Sequence, residues 1–244
     1  MDFASVPPTA LKSTHPYFLP QAESIVDRMR GILDIKEVMS VSDGIARTTC
    51  AAYAQWGSVT QPAIYAYVGD VYKGFFARTL SREDLEWAQR HLRILSGLYG
   101  ALRPLDYVSA YRLEMRAKLA VADAKDLYDF WGRDVAAFVD ADAEGVVCVL
   151  SSEEYAKVVT ADTSCRIITP VFLDKKPNGK IGTVPIYSKM MRGVMARWMI
   201  DNRVTTPDQL KDFSLYGYSY DKAHSTDNGP AFYREVMTPL RFNV

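Results

Sequence analysis

Several classes of protein are excluded by what this sequence lacks. Its 244 residues contain three cysteines and three histidines, all far apart, so there is no C-x-x-C pair, no disulfide framework and no spacing typical of zinc or iron ligands. No apolar run approaches the roughly 18 residues that a membrane-spanning helix needs, and the N-terminus has no apolar signal-peptide core. These absences predict a cytoplasmic protein without metal, cofactor or membrane contact.

The sequence also lacks a surplus of either charge. Its 29 basic residues balance 29 acidic ones. A protein that coats nucleic acid is usually clearly basic, because phosphate neutralisation supplies most of the non-specific affinity. Any contact with nucleic acid must therefore come from a local basic patch.

No familiar catalytic signature is present. The chain has no G-x-x-x-x-G-K-[ST] phosphate loop, no G-x-G-x-x-G turn and no G-x-S-x-G elbow. The sequence 151–154 (SSEE) matches a capping box, which gives Glu154 a structural role at the start of a helix. The alternative is acid–base chemistry by Glu154 with Tyr155 and Lys157. The sequence leaves enzymatic activity undecided and favours a non-catalytic protein.

Apolar periodicity predicts interleaved helices and strands. Spacings of three and four residues indicate helices, and short apolar runs between turn residues indicate strands. The predicted helices cover 20–30, 35–39, 43–55, 81–98, 125–139, a segment after Ser152, and 188–202; the predicted strands cover 63–67, 145–150, 166–174, 180–186 and 213–220, with a hairpin turn at Pro177-Asn178-Gly179. This order predicts one α/β domain over residues 1–244, with a mixed central β-sheet surrounded by helices.

Arginines are dense in the otherwise apolar stretch 90–118. Each needs a negative partner, because burying an unpaired guanidinium is prohibitive. In the first interpretation, an internal salt-bridge network pairs them with carboxylates such as Asp70, Asp106 and Glu114. In the second, planar arginine forks grip phosphate or carboxylate in an anion pocket built from Arg93, Arg103, Arg112, Glu114 and Tyr155.

A second basic cluster lies on and after the predicted helix 188–202. Lys189, Arg192 and Arg203 fall roughly on one side by helical spacing. Such charges usually form a solvated face, although a basic helix face also binds a phosphate backbone. Both interpretations stay open on the sequence alone.

Several long, ordered strings resemble the YaaA family of bacterial peroxide stress proteins. They are GDVYKG (69–74), HLRILSGLYG (91–100), LRPLD (102–106), YRLEM (111–115), DLY (126–128) with FWG (130–132), Ser152 with Glu154-Tyr155, PVFLD (170–174), RGVM (192–195) and Asn202-Arg203. The resemblance covers nearly the whole chain. It implies a single-domain α/β fold with a helix-hairpin-helix element at about 35–55, a positively charged cleft and binding to double-stranded DNA. It also implies a role in limiting free iron and oxidative DNA damage under hydrogen peroxide.

By this resemblance, the helix-hairpin-helix element binds DNA through backbone N–H groups that point at phosphate, helped by nearby basic residues. The carried-over positions are Lys36, Gly44 and Arg47. Gly44 stands where many relatives have lysine, which predicts one phosphate contact fewer. Arg116 stands where relatives usually have glycine, so a local turn is expected to differ.

The start of the chain departs most from the family. Relatives open with a short apolar strand and a Ser-Pro-Ala-Lys-Thr motif, and Met1-Asp2-Phe3 matches the residues that follow that motif. Losing a strand from a sheet leaves N–H and C=O groups of its neighbours unpaired. We therefore expect either a start codon upstream or an unstable product.

The leading hypothesis from the sequence is a non-catalytic DNA-binding protein of the peroxide response. The alternative is an enzyme that acts on a nucleotide or damaged nucleobase, a nucleotide-like ligand held by the arginine-rich anion pocket. An iron-binding protein is disfavoured, since three isolated histidines and no E-x-x-H pair resemble no di-iron site.

Overall fold

The computed structural model describes residues 1–5, 7, 12–240 and 242. The described chain divides into two compact units. Unit 1 comprises Met1–Tyr67, Ala88–Asp142 and Ser151–Ser164, and unit 2 comprises Val68–Trp87, Ala143–Leu150 and Cys165–Val244. The chain mixes helix and strand, which confirms the α/β class. The assignment of residues 1–244 to one domain stays a prediction.

The helices, in chain order, are α1 (Leu19–Arg30), α2 (Ile35–Met39), α3 (Asp43–Ala54), α4 (Ala63–Ala66), α5 (Asp70–Phe75), α6 (Arg82–His91), α7 (Leu127–Trp131), α8 (Asp134–Asp140), α9 (Glu153–Thr160) and α10 (Pro185–Asp201). Short 3₁₀ turns cover Ala77–Thr79 and Pro207–Asp212. The strands are β1 (Thr60–Pro62), β2 (Ile94–Ser96), β3 (Gly100–Leu102), β4 (Tyr107–Ser109), β5 (Val146–Cys148), β6 (Arg166–Ile168), β7 (Val171–Lys175), β8 (Ile181–Gly182), β9 (Ser214–Leu215), β10 (Tyr218–Thr226) and β11 (Gly229–Arg234).

Unit 1 is built mainly from helices. Its strands form two antiparallel pairs, β1 with β4 and β2 with β3. Helix α1 starts with a proline in its first turn and buries Ile25, Val26 and Met29 on one face, as the 3.6-residue period predicts. The ring of Trp131 packs edge-on against Phe18, with 5.5 Å between ring centroids. Burial of these apolar groups is the main stabilising term in this unit.

Unit 2 is organised around a five-stranded mixed sheet. The strand order is β8-β7-β11-β10-β9, in which β7 and β11 run parallel and the other neighbours antiparallel. A separate parallel pair joins β5 and β6. Helix α10 packs closely on α5, because a Cβ built at Gly193 would lie only 1.8 Å from the carbonyl oxygen of Val71. The mixed sheet expected from the sequence is therefore present.

Elements with strong local signals are confirmed. The structure has α2 and α3 at the predicted positions, α1 and α10 nearly so, and a hairpin between β7 and β8 whose turn places Gly179 at φ +79°. Only glycine reaches that backbone region at no steric cost. Helix α9 begins after Ser152, although no side chain caps its first turn, so the capping-box prediction was wrong.

Six predicted elements were wrong in type or length. The strand over 166–174 is divided into β6 and β7, and the strand over 180–186 is reduced to β8 because α10 begins at Pro185. The apolar run 63–67 forms helix α4 instead of a strand, since buried apolar runs are ambiguous in period. The helix predicted over 81–98 ends at His91, and β2 and β3 follow. The helix over 125–139 breaks at Gly132, where φ is +44°. The strand over 213–220 is a hairpin whose turn residues Tyr216 and Gly217 both have positive φ, as a type I′ turn requires.

A helix long and apolar enough to cross a bilayer does not occur among the residues that the structure describes. Within the same residues, no three His, Cys, Asp or Glu side chains come together as metal ligands would.

Candidate functional site

The α2–α3 hairpin of unit 1 presents the start of a helix to solvent. Asp34 caps α2 by accepting the Glu37 N–H at 3.1 Å, and Ser40 at φ +52° ends that helix. Ser42 precedes α3 in an extended conformation, but its side chain caps no N–H. Since the first N–H groups of a helix have no intrahelical acceptor, the first turn of α3 keeps free donors.

The three hairpin positions predicted to contact DNA differ in their charge balance. Lys36 pairs with Asp43, with Nζ 2.9 Å from Oδ1. Gly44 is exposed, and a Cβ built there would meet nothing within 4 Å. Arg47 is exposed on α3 and forms no ion pair in the described part of the chain. Of the two cations, Arg47 is therefore the one that has no ion-pair partner among the described residues.

A cavity of about 440 Å³ opens in unit 1 on the side of the segment that links β4 to α7. It is called the basic cavity here and is lined by Arg116, Ala117, Lys118, Ala120, Lys125, Asp126 and Tyr128. The Lys118 N–H donates to the Val38 carbonyl of α2 at 3.1 Å. One wall of the basic cavity is thus joined directly to the α2–α3 hairpin.

The alternation of burial along 115–121 explains why cations line this wall. Met115 and Leu119 are buried, whereas Arg116, Lys118 and Ala120 are exposed. The segment contains two tight turns, in which the Ala117 N–H donates to the Glu114 carbonyl and the Leu119 N–H to the Ala117 carbonyl, and both Arg116 and Lys118 line the basic cavity. The pattern M-R-A-K-L-A-V was the available signal for this surface, and the sequence interpretation did not use it.

The rest of the lining comes from the start of α7 and the residues just before it. Asp126 caps α7 by accepting the Asp129 N–H at 2.8 Å, and Asp129 accepts the Lys125 N–H at 3.1 Å. The Tyr128 hydroxyl donates to the Glu154 carbonyl at 3.1 Å. Burial raises the pKa of Tyr128, and the carboxylates of Glu154 and Asp126 raise it further. The backbone of this wall is therefore fixed by hydrogen bonds, and the lysine side chain stays exposed.

Glu154 has a different structural role from the predicted one. Its carboxylate accepts the backbone N–H of Arg116 at 3.2 Å, and the Arg116 Nε lies 3.8 Å from it. The Arg116 side chain is 77% exposed. Glu154 thus positions the segment that carries Arg116, and the guanidinium itself is only loosely compensated.

The arginines predicted to form an anion pocket fall into two groups. Arg93 and Arg103 share the carboxylate of Asp142, and both guanidinium groups lie over the Phe138 ring, 5.5 and 5.3 Å from its centroid. Burial lowers the pKa of Arg93. Burial opposes ionisation of Asp142, but hydrogen bonds and charge from Arg93 and Arg103 lower its pKa overall. This first group is an internal ion-pair network.

The second group contains Arg112, Glu114 and Tyr155. Arg112 Nη2 lies 2.6 Å from Glu114 Oε1. The other carboxylate oxygen of Glu114 is buried and accepts no hydrogen bond from any described residue. Burial, together with the charges of Glu154 and Glu114, raises the pKa of Tyr155 to about 12. Within the described residues, no hydrogen bond or ion pair joins this group to the Arg93–Arg103 group.

The predicted carboxylate partners are only partly right. Glu114 does pair with Arg112. Asp106 accepts the Arg103 backbone N–H at 2.7 Å and not its guanidinium, and Asp70 pairs with Lys73. Asp142, which the sequence interpretation did not consider, is the carboxylate that Arg93 and Arg103 share.

The cations of the basic cluster in unit 2 also differ in whether they form an ion pair. Arg203 pairs with Asp84 at 2.8 Å and lies over the Trp87 ring. Lys189 is exposed, and Arg192 is half-buried on α10; neither forms an ion pair in the described part of the chain. Burial lowers the pKa of Arg192. Lys189 and Arg192 are therefore available to an outside anion, whereas Arg203 is compensated.

Comparison with known proteins decides the family. The sequence profile described as "Peroxide stress protein YaaA" matches residues 1–224. The chain belongs to this family. A UPF0246 protein of Cupriavidus metallidurans is 42% identical over 245 residues, with 94% of each chain covered. UPF0246 proteins of Burkholderia mallei and Burkholderia pseudomallei are 40% identical over 244 residues, again with 94% of each chain covered.

Sequence reasoning missed three members of the candidate site in this YaaA family member. Lys118, Lys125 and Tyr128 were not singled out, although DLY (126–128) was among the family strings. Their common location depends on contacts with Val38 and Glu154 that lie 80 and 26 positions away along the chain. Such long-range contacts leave no local signal.

Proposed function

We propose that this YaaA family member is a cytoplasmic protein of the peroxide response that binds double-stranded DNA and limits iron-driven damage to it. The proposed contact surface is the α2–α3 hairpin, acting as the helix-hairpin-helix element, together with the basic cavity. The observation that carries the proposal is the 3.1 Å hydrogen bond from Lys118 N–H to Val38 O. It joins helix α2 of the hairpin to the segment that carries Arg116 and Lys118, within one unit.

The hairpin supplies the phosphate-facing backbone. Free N–H groups at a helix N-terminus and the helix dipole both favour an anion. Gly44 lies in this first turn and carries no side chain that would hold a phosphate away. Arg47, one turn further along α3, adds a charge that no carboxylate in the described ranges neutralises. Lys36 contributes less, because Asp43 already pairs with it.

The basic cavity supplies most of the remaining charge. Arg116, Lys118 and Lys125 lie on its walls, and together with Arg47 they give four cations. Each phosphate contact contributes about −0.9 to the slope of log K against log salt on duplex DNA. Four contacts therefore predict a slope of about −3.6, and Lys189 and Arg192 in unit 2 are candidates for further contacts.

A titration of duplex and branched DNA between about 50 and 200 mM salt, followed by fluorescence anisotropy, tests this proposal. Arg47→Gln should weaken binding to all sequences and reduce the salt slope by about one. Arg82→Gln is the control, since Arg82 is exposed and paired with Glu86 outside the proposed surface. Absence of binding at about 50 mM salt, or an unchanged slope for Arg47→Gln, contradicts the proposal.

A second candidate function is catalysis on a nucleotide or damaged nucleobase that binds at the Arg112–Glu114–Tyr155 group. It is favoured by the buried carboxylate oxygen of Glu114 that has no hydrogen-bond partner among the described residues, because buried polar atoms normally have one. A bound base at about 100 times its Kd should add about 2.7 kcal/mol to stability. The thermal shift must disappear in Glu114→Gln; a shift that persists, or no shift for any base or nucleotide, rejects this candidate.

A further inference from the structure

The basic cavity carries more positive charge than its own chain neutralises. Arg116, Lys118 and Lys125 contribute +3, whereas Asp126 on the lining and Glu154 beside Arg116 contribute −1 each, which leaves +1 (3 − 2). Lys118 and Lys125 are exposed and form no ion pair within the described residues. The Arg116 guanidinium lies 3.8 Å from Glu154 but is 77% exposed. A concave surface with this surplus favours an anionic ligand.

The number of charged donors on the lining selects among phosphate groups. A phosphomonoester offers three strong acceptor oxygens, whereas a phosphodiester inside a strand carries one negative charge and offers fewer free oxygens. Arg116, Lys118 and Lys125 are three charged donors on one lining. They therefore match a phosphomonoester better than the internal phosphates of a strand.

The aromatic member of the lining adds a surface for a base. The Tyr128 ring borders the basic cavity, and its hydroxyl is held by the Glu154 carbonyl at 3.1 Å. Lys157 Nζ lies 4.5 Å from the ring centroid and restrains the ring further. Bases stack on aromatic side chains with little sequence preference, because every base has a π-face.

The volume is compatible with one nucleotide. Small-molecule sites usually enclose about 300–1,000 Å³, and the basic cavity measures about 440 Å³. Its walls are fixed by backbone hydrogen bonds at Lys118, Lys125 and Asp129, so little ordering of the backbone is needed on binding. Preorganisation of this kind favours affinity.

We infer that the basic cavity is a binding site for a nucleotide with a phosphomonoester group, with Arg116, Lys118 and Lys125 around the phosphate and Tyr128 against the base. Two sources share this chemistry: a free mononucleotide and a phosphorylated end of a DNA strand. The inference deepens the proposed function by assigning a ligand class to part of the same surface. Binding of a free mononucleotide does not itself require binding to duplex DNA.

Calorimetric titration of the full chain with dAMP, deoxyadenosine and inorganic phosphate tests the site. We expect dAMP to bind more tightly than either of its parts. The Lys118→Gln/Lys125→Gln variant should lose at least about tenfold in affinity for dAMP, since each substitution removes a charged hydrogen-bond donor. Tyr128→Leu should weaken dAMP while leaving inorganic phosphate unchanged. Arg82→Gln is the control, because Arg82 lies outside the cavity lining and the proposed DNA-contact surface and is paired with Glu86.

The two sources are separated with duplexes that carry 5′-phosphate or 5′-hydroxyl ends. Tighter binding of the phosphorylated duplex, with the difference lost in Lys118→Gln/Lys125→Gln, identifies a strand end as a ligand; dAMP binding without that difference identifies a free nucleotide. The inference is overturned if deoxyadenosine binds as tightly as dAMP, if the double variant retains full affinity, or if neither dAMP nor phosphorylated ends bind. If neither dAMP nor phosphorylated ends bind but the hydroxyl-ended duplex binds in a salt-dependent way, the nucleotide site is rejected and the proposed DNA binding is retained.

Discussion

Unit 2 contains a buried ion pair, Asp174 with Arg234, in which the chain itself neutralises the cation. The basic cavity of unit 1 instead carries cations that face solvent. Asp174 and Arg234 are 0% and 1% exposed, and the carboxylate accepts Arg234 Nε at 2.7 Å and the Tyr218 hydroxyl at 2.8 Å. In the basic cavity, Lys118 and Lys125 are exposed and form no ion pair within the described residues. Compensation by the chain itself therefore distinguishes a structural charge from one available to a ligand.

The surroundings of Arg234 make this contrast complete. Its guanidinium lies 4.7 Å from the ring centroids of both Tyr187 and Tyr218, and Nη1 donates to the Thr238 carbonyl at 2.9 Å. A buried charge needs both a partner and further hydrogen bonds to offset desolvation. Arg234 has both, so no outside anion is required.

Breaking the buried pair should produce the largest effect. Arg234→Met leaves Asp174 as an uncompensated charge in the core, which we expect to cost about 3–5 kcal/mol of unfolding free energy. Urea denaturation followed by circular dichroism measures the loss. Adding Asp174→Leu to this variant should recover much of it, because replacing both partners of a buried pair by apolar residues is often neutral.

A surface pair gives the matched control for that experiment. Lys175 pairs with Glu235, and both side chains are about half exposed. Lys175→Met should cost no more than about 1 kcal/mol. If Arg234→Met costs as little as Lys175→Met, burial is not what makes the first pair structural.

The parts of the fold that the sequence predicts are those set by neighbours along the chain. Asp34 caps α2, a left-handed Ser40 ends it, and α3 follows at the predicted place. The end of α6 at His91 was not predictable in this way. Strands β2 and β3 pair directly after the helix, and a Cβ at Gly97 would lie 2.4 Å from the Leu113 carbonyl oxygen. Both contacts involve residues that follow the helix in the sequence.

The candidate site likewise has some features that the local sequence predicts and others that depend on long-range contacts. Arginine density correctly indicated that Arg93, Arg103 and Arg112 need carboxylates. It could not indicate that Asp142, 49 positions from Arg93, serves two of them. Nor could it indicate that Lys118 and Lys125 find no ion-pair partner among the described residues, because pairing is a property of the folded surface.

The Arg93–Arg103–Asp142 network is paired like the Asp174–Arg234 pair but more exposed than it. The pH dependence of the unfolding free energy measures how much this pairing contributes to stability. The folded pKa of Asp142 lies below 3.8, so its ionised form stabilises the fold above the unfolded pKa, and that contribution disappears as the pH falls through the folded pKa. Asp142→Asn should cost about 1 kcal/mol near neutral pH, a figure discounted because the side chain is 40% exposed.

Urea midpoints of both proteins between neutral and strongly acid pH give the comparison. The two curves should converge on acidification, since protonated Asp142 and asparagine are both neutral. Glu144→Gln alters an exposed carboxylate nearby in sequence and should change stability by less than about 0.5 kcal/mol. A constant gap between wild type and Asp142→Asn at every pH contradicts the proposed charge pairing.

Backbone strain beside the basic cavity should give a smaller effect of opposite sign. Ala122 has φ +50° in the tight turn closed by Val121 and Ala124, a region that costs an alanine about 1–2 kcal/mol. Ala122→Gly should stabilise by about 0.5–1 kcal/mol after the greater chain entropy of glycine is subtracted. Ala51→Gly on the exposed side of α3 should instead destabilise by about 0.5–1 kcal/mol. The thermal midpoints of the two variants should therefore move in opposite directions.

Neutralising the basic cavity should give the smallest stability change. Lys118→Gln/Lys125→Gln removes two exposed ammonium groups that form no ion pair in the described chain, so the unfolding free energy should stay within about 0.5 kcal/mol of wild type. Any change should be a gain, because two like charges on one cavity repel each other, and added salt should reduce it by screening. A loss comparable to that of Arg234→Met contradicts this, since it means that both lysines are paired in the folded chain. In that event the basic cavity resembles the buried pair of unit 2, and its charges are structural.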